Sequence, residues 1–175
     1  MAATIADLMK EGKVQRWGMC EVGADTIRKA HVVCPLTAIQ SEYHLMHRLT
    51  EENGVLDICR ELGIGFVPYS PLNRGALGSC INEYTVFGVH NNNRQTLPRF
   101  QPEAIRAHTR IVNVLQIFGR KRGMTSAKVA LGWLLRKALW IVPISGTTKL
   151  AHLEENLRTL DFNITVEEWK ELEGL

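Results

Sequence analysis

The stretch IVPISGTTKLAHLEENLRTL (residues 141–160) decides how this chain is read. A short apolar run, 139–144, breaks at Ser145-Gly146-Thr147-Thr148-Lys149. Leu150, Leu153, Leu157 and Leu160 then recur at helical spacing. The order is strand, tight polar turn, helix. A helix N-terminus presents unpaired N–H groups and a partial positive charge, to which Lys149 adds a full one. An anion, a phosphate first of all, suits such a turn. The simpler alternative has Thr147 or Thr148 cap the helix and leaves Lys149 in water.

Working outward, the same unit repeats. Residues 14–19, 36–43 and 64–72 read as strands, and 4–10, 25–30, 55–62, 102–118 and 127–137 as helices, the last capped by Thr125 or Ser126. Trp169 and Leu172 suggest a terminal helix packing back. Residues 78–102 form a long polar loop, of a kind often functional or mobile. Strands and helices alternate about four times, and the strands are mostly continuous apolar runs, as in α/β folds whose parallel sheet is covered on both faces. An open doubly wound sheet and a piece of a (β/α)8 barrel both fit. No GxGxxG follows the first strand, which weakens the dinucleotide-fold version. Every polar motif, Cys20-Glu21, Gln40, Tyr69-Ser70 and 145–149, comes just after a strand. Both architectures bind ligands at that edge.

The 175 residues suffice for one domain, 1–175, with a real core, and 45% hydrophobic against 22% charged residues excludes a disordered chain. A net charge of +3 is too small to point to nucleic acid, and Arg120-Lys121-Arg122 reads as a solvated helix end. Four cysteines without a CxxC favour a reduced, cytoplasmic setting over disulfides or zinc. No apolar run approaches the ~20 residues of a membrane span, and Met1 starts an amphipathic helix pattern rather than a signal peptide. Tyr43 reads as packing at a strand end and Tyr84 as a surface residue. His44 and His47 lack a third metal ligand and read as surface histidines, with no metal site. Trp17 and Trp133 read as packing.

The segments KEGKVQRWGMCE (10–21), AIQSEYHL (38–45), GIGFVPYSPLNRGALGS (63–79), LPRFQPEA (97–104) and IVPISGTTKLAHLEENL (141–157) together resemble the aldo-keto reductases, in order and at family-like spacing. The resemblance covers nearly the whole chain. It implies a (β/α)8 barrel that reduces carbonyls with NADPH, of which these segments are similar to the second half, strands five to eight. A complete barrel typically needs ~250 residues. The family's catalytic tyrosine, aspartate, lysine and histidine lie on the first four strands, and none of those motifs occurs here, so the resemblance implies no catalytic residue in this chain.

What it does imply is a cofactor site for NADP(H). Cys20 and Glu21 stand where a serine and a small polar residue hold the carboxamide, and thiols are weak hydrogen-bonders. Gln40 matches the glutamine that binds the same amide, and Tyr69 the aromatic that stacks on the nicotinamide ring. Ser70, Leu72 and Arg74 match the pyrophosphate loop, with Asn73 in place of the usual glycine, a residue freer in its backbone. Gly146, Thr147, Thr148 and Lys149 match the 2′-phosphate turn, with Ser145 replacing a proline. Glu155 and Asn156 match the adenine contacts. His152 stands where an arginine clamps the phosphate, and a neutral imidazole is a poor substitute for a bidentate fork.

Three functions compete: a truncated aldo-keto reductase that holds NADP(H) without activity of its own, a carbonyl reductase completed by a separate chain supplying the N-terminal half, and a half-barrel interaction module with no ligand. Four strands of a barrel leave two open edges and an inner face without its opposing layer. Trp17, Ile39, Phe66 and Val142 are candidates for that face. A homodimer pairing the open edges and inner faces is the expected cover, with the loop 78–102 or the terminal helix folded over a monomer as the runner-up.

Overall fold

The computed structural model describes residues 1–78, 80–88 and 93–175. Its frame is a parallel sheet of three strands in the order β1 (Gly18–Cys20), β2 (Ala38–Glu42), β3 (Gly65–Tyr69). Helix α1 (Ala2–Lys10) precedes the sheet, α2 (Ala24–Val33) joins β1 to β2, and α3 (Leu49–Glu52) and α4 (Val55–Leu62) join β2 to β3. Long helices α5 (Pro102–Lys121) and α6 (Ser126–Lys137) follow, then α7 (Leu150–Leu157) and α8 (Val166–Glu173). Among the described residues no helix is long and apolar enough to cross a membrane.

The fourth strand is present in an unusual form. Phe66 N–H donates to the Trp140 carbonyl (2.9 Å), Val142 N–H to that of Phe66 (2.9 Å) and Ile144 N–H to that of Pro68 (3.0 Å). Residues 140–144 thus run parallel to β3, but only isolated bridges form, Phe66 with Ile141 and Tyr69 with Ile144. Pro68 has no N–H to give to Val142, which interrupts the ladder. The outer edge of 140–144 is blunted as well. Pro143 offers no donor there, and the Ile141 N–H is already spent on the Ala138 carbonyl (3.1 Å).

Register decides which side chains are covered. Met19, Ile39 and Phe66 are aligned across the sheet, and Ile39 and Phe66 are fully buried in a core with Ile27, Leu115, Trp133 and Leu134 of the helices. The expectation that Ile39 and Phe66 face the inner side is therefore corrected: a strand alternates faces with period two, and these two point to the helices. The other face carries Cys20, Gln40 and Val67 in one row and Glu42 and Tyr69 in the next. Val142, expected there too, is 59% exposed. Trp17 is half-buried and its indole donates to the Pro35 carbonyl (3.0 Å).

The C-terminal helix packs back as expected. Thr165 and Glu168 form a capping box at its start, and Leu172 is fully buried. Glu173 collects Trp133 Nε1 (2.9 Å), Lys137 and Arg48 on its carboxylate, and Arg48 Nη1 on its carbonyl (2.8 Å). α7 behaves differently: Leu150, Leu153, Leu157 and the following Leu160 are 71, 45, 59 and 72% exposed. Its leucine stripe has the spacing of a packed helix yet stays largely exposed.

Candidate functional site

A cleft of about 670 Å³ opens at the C-terminal ends of the strands. The segment after β3 contributes Ser70, Leu72 and Arg74, the turn after residue 144 contributes Gly146 and Thr147, and α7 contributes His152, Glu155 and Asn156. Chain segments far apart in sequence meet here because both leave neighbouring parallel strands at the same edge. Thr148 and Lys149 are exposed beside the cleft and outside its lining. The Thr147 hydroxyl accepts the Lys149 N–H (3.1 Å), and α7 begins at Lys149 with no side-chain cap. Its first N–H groups are left for another acceptor.

The backbone around the cleft is held in a conformation non-glycine residues rarely adopt. Glu21 (φ 52°), Ser70 (50°), Asn73 (47°) and Arg74 (51°) are all left-handed, at or just past strand ends. Such residues cost of order 1–3 kcal/mol each and cluster at ligand sites. Asn73 keeps the turn without a glycine, since asparagine tolerates this region better than most residues; Gly75 (φ 99°) follows. The Asn73 side chain is buried, with Nδ2 on Met46 Sδ (3.4 Å) and Oδ1 without a partner among the described residues.

Sequence reasoning missed three contributions. Arg94 reaches the cleft from the long polar segment and donates to the Arg74 carbonyl (3.1 Å), while Arg74 Nη1 donates to Asn93 Oδ1 (2.7 Å). Cys80 and Ile81 from the same segment line the cleft. Thr125 caps α6 by accepting the Lys128 N–H (3.2 Å), and its hydroxyl donates to Glu155. The length and polarity of the loop were the only signals for the first two, and a capping threonine gave none for its second role.

On the uncovered sheet face beside the cleft, Cys20 Sγ lies 3.8 Å from Gln40 Oε1. Glu21 N–H donates to the Gln40 carbonyl (2.9 Å), and the Glu21 carboxylate accepts the Glu42 N–H (2.7 Å). Burial first, and then the Glu21 carboxylate beside it, push the Tyr69 hydroxyl up to about 12. Burial alone would raise the Glu42 carboxyl, but hydrogen bonds from His44 and Arg99 outweigh it and hold the group at about 2. Arg99 Nη1 is 2.5 Å away and His44 Nε2 3.3 Å. His44 is thus not the surface residue expected: it is 1% exposed, its Nδ1 accepts the Met46 N–H (3.2 Å), and burial lowers its pKa, so Arg99 is the ionic partner of Glu42 at neutral pH.

Tyr43 is buried against Phe66 and Trp133, and its hydroxyl donates to Glu51. Burial and that carboxylate raise its pKa strongly, so it is a packing residue and not a proton donor facing the cleft. Tyr84 is 83% exposed. All four cysteines are free. Among the described residues no group of three or more histidines, cysteines or carboxylates could hold a metal ion.

Comparison with known proteins gives the family and the fold. The model of the Aldo/keto reductase family matches residues 1–175. The protein named "Probable aldo-keto reductase 1" from Glycine max is 39% identical over 166 residues, which span 94% of this chain and 47% of that protein. A glycerol dehydrogenase from Gluconobacter oxydans superposes with a TM-score of 0.88 at 22% identity, covering 99% of this chain and 52% of its own. A thermostable aldo-keto reductase solved with the inhibitor epalrestat superposes with a TM-score of 0.75 at 22% identity, over 99% and 53%. The chain spans about half the length of the relatives it matches. Matched by the family from its first residue to its last and folded as half of the family's barrel, this chain belongs to the aldo/keto reductases.

Proposed function

We propose that this chain is the nucleotide-holding half of an NADP(H)-dependent reductase barrel. The observation that carries the reading is the single cleft in which Ser70, Leu72, Arg74, Gly146, Thr147, His152, Glu155 and Asn156 converge at strand ends. Its volume suits a nucleotide. The residues fit the group: the uncapped start of α7 with Thr147 and Lys149 offers N–H groups, a hydroxyl and a charge to a phosphate. In this reading Arg74 takes the pyrophosphate, Glu155 and Asn156 the base, and Cys20, Glu21, Gln40 and Tyr69, on the sheet face beside the cleft, the nicotinamide end. NADPH, when bound, supplies a hydride. Reduction of a carbonyl also needs a positioned acid, which typically contributes ~10²–10⁴-fold. Tyr43, the buried tyrosine nearest the strand ends, is tied to Glu51 and supplies none. The 175-residue chain accordingly binds nucleotide and does not by itself reduce carbonyls.

Titration with NADP+ and NADPH, followed by an aldehyde and ketone reduction assay, tests this. Saturable binding without turnover is the expected result. No binding of either form would leave the half-barrel as an interaction module. Turnover abolished by one substitution, Tyr43→Phe for example, would show a substitute acid.

We further propose that the uncovered side of the half-barrel is closed by a second copy of this chain. The supporting observation is the exposed stripe Leu150, Leu153, Leu157 and Leu160. Because the edge at 140–144 is blunted by Pro143, the contact runs through helix faces more than through a strand ladder. A separate chain carrying the other half of the barrel is the competing occupant, and would complete a carbonyl reductase.

A further inference from the structure

The exposed Glu21 carboxylate is held by hydrogen bonds and has no ion-pair partner among the described residues. Glu21 sits at the end of β1 in a left-handed conformation (φ 52°), its N–H bound to the Gln40 carbonyl at 2.9 Å. Its Oε1 accepts the Glu42 N–H at 2.7 Å, and the Tyr69 hydroxyl rests against the same carboxylate. The neighbouring carboxylate, Glu42, has Arg99 at 2.5 Å. No ion pair to Glu21 is found among the described residues. The uncovered sheet face therefore presents one compensated and one uncompensated negative charge, the second beside the Tyr69 ring.

We propose that Glu21 is a specificity-determining residue that makes this site favour the oxidised nicotinamide, whose ring is cationic, over the reduced one, whose ring is neutral. This rests on the reading that the chain holds NADP(H) with the nicotinamide end against Tyr69. The two redox forms carry the same phosphates and the same sugar and adenine groups. They differ in charge only at the ring, so a carboxylate fixed beside Tyr69 tells them apart while Lys149, Arg74 and the start of α7 do not. Two unit charges about 5 Å apart in a water-like medium interact by an amount equal to roughly a four-fold change in affinity, and more where water is partly excluded. By linkage, tighter binding of the oxidised form lowers the reduction potential of the bound couple. Where the corresponding position carries a neutral polar side chain, this term is missing.

The test is equilibrium titration of the 175-residue chain with NADP+ and with NADPH, for the wild type, Glu21→Gln and Glu21→Asp. The wild type is expected to bind NADP+ more tightly. Glu21→Gln, which keeps the shape and removes the charge, should move the ratio of the two dissociation constants at least about four-fold toward NADPH. Glu21→Asp, which keeps the charge, should move it less. If Glu21→Gln fails to fold, the wild-type ratio measured from low to high salt decides, since screening acts on the charge difference alone. Both forms binding with a ratio that neither Glu21→Gln nor salt moves overturns the proposal. Failure of both forms to bind the wild type overturns the nucleotide-holding reading itself.

Discussion

Arg99 Nη1 stands 2.5 Å from Glu42 Oε1, joining the turn before α5 to the last residue of β2. Across the helix layer, Glu51 is held in the same manner by Arg48, Tyr43 and Lys137. Both carboxyls sit at about 2 in the fold against an ordinary 4.5. A folded-state value below the unfolded one means stability that is fully present above about pH 4.5 and is lost as pH falls toward 2. Each group accounts for up to about 3 kcal/mol. Denaturant titrations at pH 7, 4 and 3 are expected to show this decline, and Glu42→Gln to flatten part of it. An unchanged slope in that variant would show that Arg99 does not stabilise Glu42.

Glu173 is the acceptor for three side chains, Arg48, Lys137 and Trp133. Glu173→Ala leaves the indole N–H of the buried Trp133 without its acceptor and Arg48 and Lys137 with Glu51 as their remaining carboxylate. A loss of about 1–3 kcal/mol is expected. Trp133 fluorescence should change along with the melting temperature, because its N–H loses its acceptor. A variant as stable as wild type would mean that Leu172 and the Arg122–Glu168 pair hold α8 without help from Glu173.

Lys149 lies beside the cleft with its side chain exposed. Lys149→Ala is expected to weaken NADP+ binding roughly three- to ten-fold and to leave NAD+ nearly unchanged, since only the former carries a 2′-phosphate; the difference should shrink with salt. Calorimetry with both nucleotides checks it, and equal losses for the two would remove the 2′-phosphate assignment.

Self-association is expected at micromolar concentration, by sedimentation or light scattering. Each leucine fully buried at the contact contributes roughly 1.5–3 kcal/mol, so Leu153→Glu together with Leu157→Glu should yield monomer. A wild-type monomer that binds no hydrophobic dye would sink the dimer. A dimer untouched by these substitutions would move the interface away from α7.

The sequence was legible where a local signal terminates an element. α4 spans Val55–Leu62 as expected because Gly63 takes a left-handed cap (φ 65°), and Thr125 starts α6 by capping it. It was less legible where the partner is remote. β1 begins at Gly18 and not at residue 14, and Gly18 itself is set by a remote partner: a Cβ there would stand 2.4 Å from the Ala38 carbonyl oxygen. His44 looked like a surface histidine until Glu42 and Met46 closed around it. The leucine spacing of α7 foretold a helix but not whether anything covers it. For the cleft, residues in turns after strands were readable, whereas Arg94 and Thr125 arrive from parts of the chain whose direction no local pattern encodes.

The missing donor at Pro68 makes the join between β3 and residues 140–144 the weakest seam of the sheet. Residues 140–144 are fastened to β3 through a few bonds, among them the N–H groups of Val142 and Ile144. The turn at 145–149 leaves that seam directly, α7 is tied to α6 through Thr125 and Glu155, and Ser70, Leu72 and Arg74 sit on the continuous ladder side. The Val142 and Ile144 amides should exchange with solvent faster than those inside β2, and a nucleotide that touches both sides of the cleft should slow them by stabilising the folded seam.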